Sequence, residues 1–215
     1  MIETYGSFAF GGENMTGLVK NDIPTQASQL LKRKYTVAEF EQLFAEAEHG
    51  DRLLELIHGE VVEKMPTEEH GVIAGNVFAP LHNFVTPQRL GRVGFEVRHQ
   101  PPDDAYNSRL PDISFSGVRR LLVTKGSVPT MPELAVEVQS PDDTIKEMRE
   151  KATYYLANGA KLVWLIYPRK RMVEIYYANG DIDILHEGDM LNGEDILPGF
   201  TLAVSDIFAD PFIED

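Results

Sequence analysis

The chain has 215 residues, 43% hydrophobic and 25% charged, values ordinary for a globular protein and too apolar for a wholly disordered one. It has no run of about 18 apolar residues, which argues against a membrane span, and no Cys, which excludes disulfides, thiolate metal sites and a Cys nucleophile. Net charge is −14, yet residues 1–171 carry all 20 Lys and Arg beside 23 acidic residues, whereas 172–215 carry 11 acidic residues and no Lys or Arg, so a basic face toward phosphate stays open to the first part alone.

Residues 1–34 show no clean period and read as an N-terminal extension, with a short helix over Gln26–Lys34. An early Glu3 and no basic residue before Lys20 make a poor secretory signal, so a cytoplasmic location is expected. Residues 35–208 read as the folded domain and 209–215 as an acidic tail.

Thr36 and Glu39 have capping-box spacing, and Val37, Phe40, Leu43 and Phe44 form one apolar stripe, which predicts a helix. Leu53–Ile57 and Glu60–Lys64 read as hairpin strands around a His58-Gly59 turn. Over Glu68–Val85, Val72, Ile73, Val77, Leu81 and Phe84 recur at helical spacing. A strand over Arg92–His99, a polar loop through Ser108 and short strands at Leu110–Phe115 and Leu134–Gln139 follow. Ser140-Pro141-Asp142-Asp143 reads as a helix start, with Ser140 as N-cap and Pro141 in the first position, and Gly159 ends that helix. Leu162–Tyr167 is apolar without alternation, as in a strand buried on both faces, and Val173–Tyr177 and Asp181–Leu185 flank the hairpin signal Asn179-Gly180. The expected class is α/β, a mixed β-sheet flanked by helices with a C-terminal strand meander.

Several side chains break the apolar pattern. Alternation puts Glu55 on the face of Leu53 and Ile57, Asp112 opens a strand straight after Pro111, and Glu137 and Gln139 share the face opposite Val136 and Val138. On the following helix Met148, Lys151 and Tyr155 fall on one stripe, which turns Lys151 inward. Three carboxylates and a Lys on core elements are costly to bury, since the like charges repel and each group loses hydration, and a hard divalent cation would relieve that repulsion. On the same reasoning, Glu137→Ala should not lower stability.

The strings LLELIHGEVV, LPDISF, ELAVEVQSPDDT and KATYYLANGAKLVWLIYP, in this order, resemble the Uma-two-type restriction endonuclease family, a branch of the PD-(D/E)XK nuclease superfamily. The resemblance spans about Tyr35 to Phe208, and the ordered set is far more specific than the Pro-Asp pair, which also occurs at 102–103 and 141–142. It implies a restriction-endonuclease-like sheet and Mg²⁺-dependent hydrolysis of nucleic acid, most of all DNA, with Mn²⁺ as an alternative cation. It implies Asp112 and Glu137 as metal ligands, with the Val138 carbonyl as a third and Glu55 as an additional acid holding a second metal or a water. Gln139 stands where the superfamily places Lys, and Lys151 on the next helix matches the substitute that stabilises charge on the phosphate. A homodimer is expected, since cutting two strands needs two sites. A catalytically inactive nuclease fold with an interaction role is the alternative.

Each residue also has a structural reading. Asp112 can cap a loop, Glu55 can pair with Arg52 or Lys64, and Gln139 can satisfy backbone groups. Lys151 and His70 can be solvated, and Tyr155 can be core. No Gly-rich phosphate loop, paired-His zinc motif or nucleophile elbow is present.

Overall fold

The computed structural model describes residues 33–44, 52–117, 119–210 and 212. Most of the N-terminal extension, including residues 26–32 of the expected Gln26–Lys34 helix, lies outside these, as does most of the tail; Arg33 and Lys34 are not helical.

Helix α1, Val37–Phe44, starts at a capping box. Glu39 N–H donates to Thr36 Oγ1 at 3.3 Å, and Thr36 N–H donates to Glu39 Oε2 at 2.8 Å. Its Val37 and Phe40 pack on Leu54 and Leu56 of β1, Leu54–Ile57. β1 pairs antiparallel with β2, Glu60–Glu63, through His58 (φ 51°) and Gly59 (φ 82°), both left-handed as a primed two-residue turn requires. This ribbon is a sheet of its own. One face, with Leu54, Leu56 and Val61, meets α1; the other carries Glu55, Ile57, Val62 and Lys64 into a cleft.

Helix α2, Glu68–Gln88, capped by Thr67, buries His70, Ile73, Ala74, Val77, Leu81 and Val85. Val72, expected on the inner stripe, is 44% exposed, because the buried stripe runs one position later. The main sheet has six strands in the order β3 (Arg92–Phe95), β4 (Ile113–Ser116), β5 (Leu134–Val138), β6 (Leu162–Tyr167), β7 (Met172–Tyr177) and β8 (Ile182–His186). Only β5 and β6 run parallel among these neighbours; the remaining pairs are antiparallel. β5 and β6 are buried along their whole length, which explains their missing alternation.

Leu134, Val136, Val138, Trp164 and Ile166 pack on the side of α2, joined there by β9 (Met190–Gly193), β10 (Leu197–Ala203) and α4 (Val204–Ile207). Ala135, Val163 and Leu165 face α3, Ile145–Ala157, through Met148, Ala152 and Tyr155. The C-terminal meander therefore divides: β7 and β8 extend the main sheet, and β9–β10 form a separate bulged ribbon.

Several boundaries differ from expectation, three of them around the acidic residues. The Arg92–His99 strand stops at Phe95, with His99 left in isolated bridges to Arg109 and Val128. The fourth strand begins at Ile113 rather than Leu110, because Pro111 has no N–H and the Asp112 side chain turns aside. Helix α3 begins after Thr144 rather than Ser140. Thr144 and Glu147 form a full capping box, while Ser140–Asp143 is a turn closed by Asp143 N–H to Ser140 O at 3.0 Å.

Candidate active site

Asp112 sits just before β4, and Glu137 is the fourth residue of the neighbouring β5. The chain brings their carboxylates to a common neighbour, the ammonium of Lys64 at the end of the β1–β2 ribbon. Lys64 Nζ lies 2.5 Å from Asp112 Oδ1, 2.9 Å from the Leu110 carbonyl and 3.7 Å from Glu137 Oε2. Asp112 Oδ2 accepts from the Val138 N–H at 2.7 Å and meets His70 Nε2 at 3.0 Å. Glu137 Oε1 accepts from Tyr155 OH at 2.7 Å, and Oε2 is 3.3 Å from Lys151 Nζ. Asp143 Oδ1 stands 3.8 Å from the same Lys151.

Burial sharpens these interactions. Asp112 is 1% exposed and Glu137 fully buried. Burial alone would push the Asp112 carboxyl upward, but the Lys64 charge and the His70 hydrogen bond hold it well below the usual carboxylate range. Burial likewise works against the Lys64 and Lys151 ammoniums, yet the facing carboxylates, Glu137 first, raise both above the ordinary Lys value. Glu55 is the exception: burial outweighs its cations and pushes its carboxyl up.

The expected site residues fall into two groups. Asp112, Glu137 and Lys151 meet, and the Val138 backbone joins them through its N–H. Glu55, 4% exposed, accepts from Leu110 N–H at 3.0 Å and lies 3.7 Å from Arg109, not in a surface pair; Arg52 is taken by Glu63 at 2.8 Å and 2.5 Å. Gln139 stands apart. Its amide donates to the Asp143 carbonyl at 2.8 Å, fixing the β5–α3 turn rather than touching the two acids.

In the sequence Lys64 stands out only as a possible partner of Glu55 and Arg109 not at all, while His70 reads as solvated and Tyr155 as core. A signal for Lys64 existed: it is two residues past Val62, which pairs with Glu55 across the ribbon, so strand alternation sets it on the Glu55 face. His70 is on the buried stripe of α2, four residues before Ala74 and seven before Val77.

A cleft of about 680 Å³ opens above these groups, lined by Glu55, Lys64, His70, Arg109, Lys151 and Tyr154 among others. The two central carboxylates lie beneath this lining.

The donor set suits a hard divalent cation. Asp112 Oδ1 and Glu137 Oε2 already converge on one positive charge, the Lys64 ammonium, and Mg²⁺ is commonly held by one or two carboxylates with water completing its shell. No group of three or more acidic or His side chains forms a ready metal cage among the described residues.

The model of the Uma2 family, described as "Putative restriction endonuclease", matches residues 37–205. The fold is that of a "putative nuclease belonging to DUF820" from Anabaena variabilis ATCC 29413, whose crystal structure shares 23% identity at a TM-score of 0.67, covering 81% of this chain and 97% of that one. No curated protein matches the chain. With most of its length matched by the family model, the chain belongs to the Uma2 restriction-endonuclease-like nuclease family.

Proposed function

We propose that the protein is a Mg²⁺-dependent endonuclease that hydrolyses phosphodiester bonds of DNA, with Mn²⁺ as an alternative cation. The observation that carries this reading is the convergence of Asp112 and Glu137, from adjacent strands, on a single cation position beneath an open cleft. Asp112, Glu137 and the Val138 carbonyl would hold the metal, with Glu55 as the neighbouring acid. Bound there, the metal supplies Lewis-acid activation of a phosphate and of its attacking water. Lys151, which both lines the cleft and touches Glu137, steadies negative charge on the phosphate. Gln139 acts through the turn that sets Asp143 beside Lys151. A homodimer that works on both strands, in the cytoplasm, completes the reading; no helix among the described residues is long and apolar enough to cross a membrane.

A second reading, an interaction protein on an inactive nuclease fold, draws support from the cations Lys64, Lys151 and Arg109 that already face the buried acids. Plasmid cleavage with Mg²⁺ or Mn²⁺ separates the two. Wild type should cut, and Glu137→Gln should lose about 100-fold or more. Wild type that cuts neither DNA nor RNA with either metal would transfer the conclusion to the interaction role. The stability expectation for Glu137 reverses: its carboxylate faces two ammoniums and a hydroxyl, so neutralising it strands buried positive charge and lowers the melting temperature.

A further inference from the structure

Beside the carboxylate pair, the cleft contains two polar groups that its internal network leaves unsatisfied. Arg109 is 8% exposed, and its Nε is buried without a hydrogen-bond partner among the described residues. Glu55 Oε2 stands 3.7 Å from Arg109 Nη1, longer than a hydrogen bond, and the other Glu55 oxygen is taken by Leu110 N–H. The guanidinium lies over the Tyr154 ring, 4.3 Å from its centroid. The Tyr154 hydroxyl is likewise buried, and among the described residues no group meets it in good hydrogen-bond geometry, Arg109 being its nearest charged neighbour. Both residues line the cleft.

Buried donors without acceptors are costly, and two in contact call for a ligand rich in acceptor oxygens. A guanidinium offers donors in a planar fork that matches a phosphate edge, and the ring beneath holds that fork in one orientation. We infer that Arg109 and Tyr154 form a phosphate-binding subsite of the cleft, which takes a backbone phosphate of the nucleic acid next to the one over Asp112 and Glu137. This rests on the nuclease reading and adds to it a binding residue pair outside the metal and Lys151 positions. Glu55 lies between the two parts: it meets Arg109 on one side, and through Leu110, whose carbonyl Lys64 contacts, it adjoins the carboxylate pair.

The test is the affinity of a fluorescein-labelled random-sequence DNA duplex, read by anisotropy in EDTA at low salt, so that neither cleavage nor metal enters the signal. Arg109→Lys keeps the charge facing Glu55 but loses the fork, and should weaken binding about tenfold. Tyr154→Phe keeps the ring and removes only the hydroxyl; it should weaken binding about threefold while its melting temperature holds, because the deleted group makes no well-formed hydrogen bond among the described residues. A purely structural role for the pair predicts unchanged affinity in Tyr154→Phe, and that result overturns the subsite even if Arg109→Lys fails to fold. Wild type that does not bind the duplex also overturns it, while plasmid cleavage judges the nuclease reading separately. Wild type that cleaves while both variants bind as it does removes the subsite alone.

Discussion

Lys64 Nζ stands 2.5 Å from Asp112 Oδ1, across a sequence separation of 48 residues. The acid of the Pro-Asp motif is thus held by a cation that the motif does not contain. Lys64→Met should leave Asp112 buried with only His70 and the Val138 N–H beside it, at a cost of about 3–5 kcal/mol in EDTA. A divalent cation then meets no ammonium at Asp112, with Lys151 left on Glu137, so Mn²⁺ should raise the variant's melting temperature by more than it raises that of wild type. Thermal melts of both proteins with and without Mn²⁺ check this. Equal metal-induced shifts would show that the ammonium does not contest the position.

A second consequence concerns acid. His99 is 1% exposed, bonded to the Thr130 carbonyl at 2.9 Å and Ser114 Oγ at 3.2 Å, and burial brings its imidazole down to about 4. In the unfolded chain it takes up a proton near 6.5. Between these values the unfolded state binds more protons, so stability falls as pH drops from about 6.5 toward 4, by roughly 3 kcal/mol from this group. Urea midpoints across that range check it in wild type and His99→Gln. The variant should lose this limb of the pH profile, and an unchanged limb would assign it to other groups.

Helix α3 gives a third outcome. Thr144→Ala removes the side chain that accepts from Glu147 N–H, and should cost about 1 kcal/mol. Ser140→Ala should stay within about 0.5 kcal/mol, since Ser140 lies in the preceding turn. Denaturant titrations of the two variants distinguish the caps, and equal losses would count against the Thr144 start.

The local elements were readable because their signals are local. His58-Gly59 and Asn179-Gly180 mark turns wherever they sit, and the apolar stripe of α2 needs only its own period. The start of α3 differs from expectation because two hydroxyl residues stand four apart and Pro141 favours the first; the decisive feature is Glu147, three residues after Thr144, which Ser140 lacks. Asp112, Glu137 and Lys151 stood out as charges on apolar elements. Arg109 did not, because its surroundings come from β1 and α3, segments distant in the chain. Likewise the elements that bear the three acids offer one inward Lys; strand alternation adds Lys64, and tertiary packing brings Arg109 and His70 into the balance.

The parallel pairing of β5 with β6 has a bearing on how such a centre can be inherited. Glu137, Lys151 and Tyr155 all lie in the single crossover that begins with β5 and returns as β6, together with the capping box and the Met148–Ala152 core that hold them. An exchange of that one segment between relatives transfers half of the constellation as a cassette. Lys64, His70 and Asp112 come from a ribbon, a helix start and a strand edge, so the other half is a mosaic that the recipient must already match.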